Sequence, residues 1–443
     1  MFQSNSVHFQ ELRQFLDQIP VIETHSHMTS YEAVPISKDP IDFIMFCHAY
    51  AEDFYSVGGE KITGKVKHSN PHRGIPKNMP QEERYKLFLE YYKKSDKTAY
   101  ARVTQDGLRT YWGLDDIGDY EQFLKFSERL KGRDESIYDK VMEETKIKAV
   151  IVDRPDIGEY MAGRVKASKY CKFALDTGIF ADLNSRARVE MMQPYLKRTI
   201  VCLDDYLEAI DNYFKACYEF GVVCLKNWSA YRRSLAYGNP AKAEAEKVFQ
   251  ELIYHPRAIL ADEQTIVLED WIFHYVLRKA AEYDLPVQFH TGVLCDMRND
   301  VEKANAMHLR PLLELHEDVR FDLFHGNWPY MDEYLFLGKC YPNVCLDLVY
   351  AHGLDPLYCV ELIKRAVMTI PHSKIFAFGG DTGAVEWVAA GLKIAKDNVA
   401  VAFAELIDSG WITMAEAKQM AMDWFFNNPN EFYKLGFDTI SIL

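Results

Sequence analysis

Residues 20–27 read PVIETHSH, a short apolar run that ends in two histidines two positions apart. The same arrangement, an apolar run followed by a polar side chain able to bind a metal, recurs at GVVCLKNW (221–228), LPVQFHTG (285–292), RFDLFHG (320–326) and KIFAFGGD (374–381). Short apolar runs separated by helical patterns are typical of parallel strands covered on both faces. The carboxyl ends of strands in a parallel barrel converge on one mouth, so we expect these distant side chains to meet there.

Eight strand candidates follow one another along the chain. They are 20–25, 147–153, either 179–184 or 187–192, 221–226, 285–290, 320–325, 343–348 and 374–379. Helical patterns fill most of the gaps, and this alternation indicates the α/β class. Eight repeats favour a closed barrel over an open doubly wound sheet. The predicted fold is a distorted (β/α)8, or TIM, barrel.

A long insertion interrupts the repeats after the first strand. Residues 28–146 contain helical patterns near 81–95, 119–131 and 134–145, and an irregular stretch at 56–80. Because the insertion leaves the barrel at the carboxyl end of a strand, it predicts a helical cap over the mouth. Residues 1–27 and 147–443 would then form the barrel.

Composition predicts a soluble cytoplasmic protein. The chain has 443 residues, of which 48% are hydrophobic, and a net charge of −14 without a basic stripe, so nucleic acid is not an expected partner. No apolar stretch reaches membrane-spanning length and no signal peptide pattern is visible. The nine cysteines lack C-x-x-C spacing and indicate reduced thiols in the cytoplasm. We expect a small-molecule substrate and allow for a homo-oligomer.

The residues at the strand ends are the kinds that bind first-row metals. His25 and His27 lie at i and i+2 of a strand, so both imidazoles point to one face, and imidazole suits zinc and related ions. Two surface histidines are the alternative. His290 and His325 end successive strands, although either alone could be a core histidine bonded to the backbone. Asp381 would be costly to bury without a partner or a metal, and it could also cap the following helix.

Lys226 admits two interpretations. Beside bound cations its amine favours the neutral form, which can react with carbon dioxide to give a carbamate able to bridge two ions. An ordinary lysine paired with Asp347 or with a substrate carboxylate is the other interpretation.

The pattern resembles the amidohydrolase superfamily of metal-dependent barrel hydrolases. His25-x-His27, Lys226, His290, His325 and Asp381 match its ligand positions after strands one, four, five, six and eight. The segments LKNWSAYRRSL, VQFHTG, LRPLLELHEDVRFDLFHGNWPYMDE, YPNVCLDL and KIFAFGGDT are similar to its "amidohydrolase 2" group, which includes the amidohydrolase-like part of FluG-type proteins.

The resemblance implies a ligand set and roles. One ion would bind His25, His27 and Asp381, another would bind His290 and His325, and a carboxylated Lys226 would bridge them. The ions would be zinc, with manganese, iron or nickel as alternatives. Asp381 would act as the general base. A single ion on His25, His27, His290 and Asp381 also remains workable, with His325 orienting the substrate.

Further polar residues near the strand ends are candidate substrate contacts. They are Arg186, Tyr231, Arg232, Arg298 and Trp328. Arginine forks favour carboxylates and phosphates, although surface ion pairing is the alternative for each of them. Trp328 could form a pocket wall or pack against a helix.

The sequence therefore predicts hydrolysis of an amide, ester or lactone bond in a small polar, or carboxylated, molecule. Uronate isomerisation is the first alternative, since uronate isomerases share the barrel, an early His-x-His and a long insertion. Their strand-eight Asp-x-Arg is absent from Asp381-Thr382-Gly383, and Lys226 is not expected in them. Non-oxidative decarboxylation and a non-catalytic binding role are the remaining alternatives.

Overall fold

Eight parallel strands form one sheet in chain order, each strand pairing with the next. The structure is a computed structural model, and it describes residues 4–27, 38–45, 50–58, 79–153, 157–295 and 299–441. The strands are β1 (Val21–Ser26), β2 (Ile147–Val152), β3 (Cys171–Asp176), β4 (Val222–Asn227), β5 (Val287–Phe289), β6 (Phe321–Leu323), β7 (Val344–Asp347) and β8 (Ile375–Phe376). The predicted (β/α)8 barrel is confirmed.

Backbone hydrogen bonds join the end of β8 to β1 and close the barrel. Thr24 N donates to Phe378 O at 3.1 Å, and Asp381 N donates to His25 O at 2.9 Å. Gly379 permits this close approach, because a Cβ there would lie 3.0 Å from Thr24 Oγ1 and 3.1 Å from His25 N. We call this contact between the first and last strands the seam.

The helices outside the insertion cover the barrel. They are Val7–Leu16, Ile157–Met161, Gly178–Ala181, Arg186–Glu190, Leu203–Phe220, Lys242–Tyr254, Asp262–Glu282, Arg310–Leu315, Met331–Cys340, Ala351–Leu354, Pro356–Thr369, Val385–Asp408, Met414–Met422 and Asn428–Phe432. The main apolar core lies between this layer and the outer face of the strands.

The prediction for the third strand is wrong. Both candidates, 179–184 and 187–192, fall on one-turn helices, and the strand is Cys171–Asp176. The run CKFALD carries Lys172 and Asp176, so it lacks the continuous apolar character by which the other strands were recognised. Asp176 ends the strand by accepting a hydrogen bond from Gly178 N at 2.7 Å, which starts the turn into the next helix.

The insertion is helical where it is described. Its α-helices are Pro40–Met45, Tyr50–Ser56, Gln81–Ser95, Ala99–Gly107, Tyr120–Lys131 and Ser136–Thr145. Most of the irregular stretch predicted at 56–80 lies outside the described residues.

A second apolar cluster joins the insertion to the mouth of the barrel. It contains Phe324 and Tyr350, which follow β6 and β7, and Trp387 of the helix Val385–Asp408. Phe43 of the insertion packs on the Trp387 ring with centroids 5.0 Å apart. Arg133 anchors the same region through two 2.7 Å hydrogen bonds to the buried carboxylate of Glu386. The insertion therefore packs on the end of the barrel at which the strand-end side chains lie.

No helix among the described residues combines the length and the hydrophobicity that crossing a membrane requires.

Candidate metal centre

The seam brings together two imidazoles and a carboxylate from opposite ends of the chain. Asp381 Oδ1 lies 2.9 Å from His27 Nε2 and 3.4 Å from His25 Nε2. The i and i+2 spacing on β1 places both histidines on the face that meets the end of β8, as the alternation of a strand requires. His25 and Asp381 are buried, whereas His27 is partly exposed at the mouth.

His290 and His325 form a second pair at the ends of β5 and β6. His290 Nε2 bonds to Val293 O at 2.6 Å, and His325 Nδ1 bonds to Val349 O at 3.0 Å. A carbonyl can only accept, so each of these nitrogens carries the hydrogen. In neutral rings His290 Nδ1 and His325 Nε2 then present lone pairs to each other across 3.0 Å. Two facing lone pairs repel unless a cation binds them both.

Burial keeps these imidazoles neutral. It lowers the pKa of His25 to about 4, with a further contribution from the charge of Lys226. Burial likewise lowers the pKa of His325 to about 3 and holds the pKa of His290 well below its usual value. Burial alone would raise the pKa of Asp381, but hydrogen bonds from the seam histidines outweigh it and hold that pKa well below the usual range. Neutral imidazoles and an ionised carboxylate are the forms that bind metals.

Lys226, on β4, lies near both pairs of histidines. Its charge acts on His25 and on His290 and His325. Its Nζ lies 3.9 Å from the centroid of the Phe324 ring, a cation–π contact. The structure thus brings together all six predicted ligand residues at one end of the barrel.

A further acidic residue at this site was missed in the sequence. Asp153 directly follows β2, and its carboxylate lies with the ring nitrogens of His25 and His27 in a group whose ligand atoms are all within 4.8 Å of one another. The sequence could have indicated this residue. Asp153 lies at the end of the predicted strand 147–153, just as Asp381 lies after the predicted strand 374–379.

The interior of the barrel beneath Lys226 is polar. Tyr433 donates its hydroxyl hydrogen to Asp322, and Gln288 donates to Tyr433 Oη at 2.8 Å. Burial raises the pKa of Asp322 to about 7, and burial together with Asp322 raises the pKa of Asp347 well above its usual value. Both buried carboxyl groups therefore hold a proton more tightly than an exposed aspartate does. Asp322, Gln288 and Tyr433 were not predicted as buried polar residues, because no spacing in the sequence distinguishes them from other polar residues.

Among the predicted substrate contacts, Tyr231 lies at the site. Its ring packs on that of His290 with centroids 4.6 Å apart, and its hydroxyl oxygen accepts from Cys295 N at 3.3 Å. Tyr350, whose ring lies 6.2 Å from that of His325, contacts Tyr100 of the insertion at 5.5 Å between centroids. Aromatic side chains from the barrel and the insertion thus line one side of the centre.

The other candidates are engaged elsewhere or not described. Arg232 pairs with Asp182 and Glu269 at 2.9 Å each, and Arg186 pairs with Glu190. The Trp328 indole donates to Asp355 Oδ2 at 3.3 Å. Arg298 lies outside the described residues.

The donor set fits a divalent metal. His25 Nδ1 is buried without a hydrogen-bond partner in the part of the chain that the structure describes, which is costly for a polar atom. The facing lone pairs of His290 and His325 are a second electrostatic cost. A cation between His290 and His325 relieves the second cost, and imidazole with carboxylate suits zinc, manganese, iron or nickel.

The fold and this centre define a (β/α)8 barrel with a metal-capable mouth, and a family model agrees with that class. The model described as Amidohydrolase matches residues 232–381, which include His290, His325 and Asp381. Protein fluG of Emericella nidulans is 30% identical over 177 residues, which cover 38% of this chain and 20% of that protein. The chain thus spans only a fifth of this relative. The resemblance predicted from the strand-end motifs is confirmed.

Solved structures show the same architecture over nearly the whole chain. A uronate isomerase from Thermotoga maritima superposes with a TM-score of 0.76 at 12% identity, covering 98% of this chain and 100% of that one. A protein from Lactobacillus casei described as a metal-dependent hydrolase gives a TM-score of 0.64 at 16% identity, with 96% and 97% coverage. At these identities the similarity establishes the fold.

Proposed function

We propose that this protein is a zinc-dependent hydrolase that cleaves an amide, ester or lactone bond in a small polar molecule. The observation that carries the proposal is the 3.0 Å approach of His290 Nδ1 and His325 Nε2, two nitrogens that can both bind a metal. They lie at the same mouth as the seam group of His25, His27 and Asp381.

Residues of the chain would hold the metal in two groups. His25 and His27 would bind from β1, and His290 and His325 would bind from the ends of β5 and β6. A carbamate on Lys226 would supply the anion between them, because that side chain acts electrostatically on both groups. When bound, such a metal lowers the pKa of water and polarises a carbonyl oxygen.

Asp381 is the proposed proton carrier. Its Oδ1 is within hydrogen-bond distance of His27 Nε2, which leaves the carboxylate oriented and ionised. It would take a proton from the attacking water and return it to the leaving group. The hydrogen bond that His325 Nδ1 donates to Val349 O would keep this ring in one tautomer and orientation, so that it faces the reacting carbonyl.

Tyr231 and Tyr350 are the proposed substrate contacts. Their rings flank those of His290 and His325, so they would pack against a molecule bound at the centre. Arg232 has two carboxylate partners, so it is a weaker candidate for binding a substrate carboxylate.

Uronate isomerisation is the second candidate, because the shared architecture includes the insertion and covers the whole length of a uronate isomerase. The residues Asp381-Thr382-Gly383 and the presence of Lys226 at the centre weigh against it.

The test is an activity screen on zinc-loaded protein against acyl-amino acids, esters, lactones and uronates. We expect turnover of at least one hydrolysable class, which is lost with a chelator and restored with zinc. Turnover of uronates alone would replace the hydrolase with the isomerase, and metal-independent turnover would overturn both.

A further inference from the structure

Asp153 is fixed next to the seam by the pairing of the first two strands. Ser26 pairs with Val152, and Asp153 N donates to Ser26 O at 2.9 Å, so the residue sits beside His27 at the tip of β2. Its side chain is 1% exposed. The backbone of two strands, rather than a loop, therefore sets the position of this carboxylate.

The same carboxylate approaches the seam histidines. One oxygen of Asp153 and one ring nitrogen each of His25 and His27 all lie within 4.8 Å of one another. Atoms bound to one zinc ion at about 2.0–2.2 Å lie at most about 4 Å apart, so small shifts bring all three to a single ion. His25 Nδ1 is buried without a hydrogen-bond partner among the described residues, so this ring offers one nitrogen to a ligand while its Nε2 faces Asp381.

We propose that Asp153 is a permanent ligand of the ion held by His25 and His27; this rests on the metal-dependent function proposed above. Two imidazoles, one carboxylate and an open position are a donor set that catalytic zinc sites use. With Asp153 in this role, Asp381 does not have to hold the ion and can carry protons. The assignment gives the two strand-end aspartates separate roles.

The test compares three isosteric substitutions in the full-length protein: Asp153→Asn, Asp381→Asn and Asp176→Asn. Asp176 is the matched control, because it ends the neighbouring strand but accepts hydrogen bonds from Gly178 N and the Trp228 indole at 2.7 and 2.6 Å. Zinc affinity is measured by competition with a chromophoric chelator, and coordination by the visible spectrum of the Co²⁺-loaded protein.

We expect Asp153→Asn to weaken zinc binding at least about tenfold, since even residues that only orient ligands contribute that much. Its Co²⁺ spectrum should change, while the other two variants bind zinc within about threefold of the parent. Asp153→Glu, which keeps the carboxylate, should recover part of the affinity and also shift the spectrum. If Asp153→Asn does not fold, the shift in the Co²⁺ spectrum of Asp153→Glu tests the assignment instead.

Parental affinity and an unchanged Co²⁺ spectrum in Asp153→Asn, or an unchanged spectrum in Asp153→Glu, would overturn the assignment alone. If Asp153→Asn loses zinc but the parent protein has no hydrolase activity, the result would support Asp153 as a zinc ligand and overturn the proposed reaction. A parent protein that binds no metal would overturn both.

Discussion

His25 and Asp381 are joined twice across the seam. Asp381 N donates to His25 O at 2.9 Å, and Asp381 Oδ1 lies 3.4 Å from His25 Nε2. Because the backbone bond fixes where the aspartate sits, the side chain can change its partner without moving the strand. This double connection suits a group that exchanges protons at a metal centre.

Replacing Asp381 with asparagine should therefore leave the metal in place and lower turnover about 10²–10⁴-fold, the usual contribution of a general base. Steady-state kinetics and elemental analysis on the same sample check both parts. Asp318→Asn, on an exposed turn before β6, is the control and should keep parental turnover. Near-parental turnover in Asp381→Asn would remove its role as proton carrier.

Replacing His325 with asparagine should lower the metal content of the protein by one ion. The substitution removes one of the two nitrogens that face each other across 3.0 Å, so His290 alone is left to bind. Metal-to-protein ratios after zinc loading measure this effect. His308→Asn, at the surface beside Glu302, should leave the ratio unchanged. An unaltered ratio in His325→Asn would exclude the second pair from metal binding.

Lys226 should carry a carbamate in the zinc-loaded protein. Loading in ¹³C-labelled bicarbonate should give a carbamate carbon signal by NMR, and Lys226→Met should lose both the signal and one ion. Lys393→Met is the control, because this lysine pairs with Asp106 away from the mouth. A fully loaded parent protein without the signal would support the ordinary lysine beside Phe324 instead.

The ion pair that anchors the insertion should be important for stability. The side chains of Arg133 and Glu386 are 5% and 0% exposed, so Arg133→Met leaves a buried charge without its partner. We expect a loss of about 3–5 kcal/mol in the free energy of unfolding. The double variant Arg133→Met/Glu386→Leu should lose much less, because it buries no charge.

Urea denaturation of the single and double variants measures this difference. Lys97→Met, which breaks an exposed pair with Asp96, should change stability by less than about 1 kcal/mol. Equal losses in Arg133→Met and the double variant would show that packing, not charge, explains the effect.

Lys396 should make stability depend on alkaline pH. Burial lowers its pKa from 10.5 to about 8, with Asp17 nearby at 3.6 Å opposing the shift. Between those two values the unfolded chain binds the proton more tightly than the folded protein does. Stability should therefore rise as pH increases through this window, by about 3 kcal/mol at most.

Chemical denaturation at pH 7.5 to 10.5 of the parent and of Lys396→Met tests this prediction. The variant should show a flatter profile over that range. Lys393→Met, on the same helix but half-exposed, should keep the slope of the parent. Parallel profiles for parent and Lys396→Met would contradict it.

The strand-end residues were predictable because strand direction alone determines where they lie. His290 and His325 each follow an apolar run that predicts a strand. Because parallel strands of a barrel all end at one mouth, both residues lie there. β3 was not predictable in the same way, since Lys172 and Asp176 interrupt its apolar run and only pairing with β2 and β4 identifies it.

Contacts between residues that share no local sequence pattern could not be predicted either. The hydrogen bonds among Gln288, Asp322 and Tyr433 cross the barrel interior and depend on where Tyr433, which follows the helix Asn428–Phe432, enters it. The ion pairs of Arg232 depend on how the turn after β4 meets Asp182 and the helix Asp262–Glu282. Such pairings follow from the completed fold rather than from periodicity.

The seam has a consequence for the dynamics of the protein. An ion held by His25, His27 and Asp153 would tie β1 to the end of β2 next to the seam, so its affinity adds to the cost of displacing β1 there. In amide hydrogen-exchange measurements, Thr24, His27 and Asp381 should become more protected on zinc loading than amides within β5 or β6. The metal ion proposed for catalysis would thus also stabilise the closed barrel.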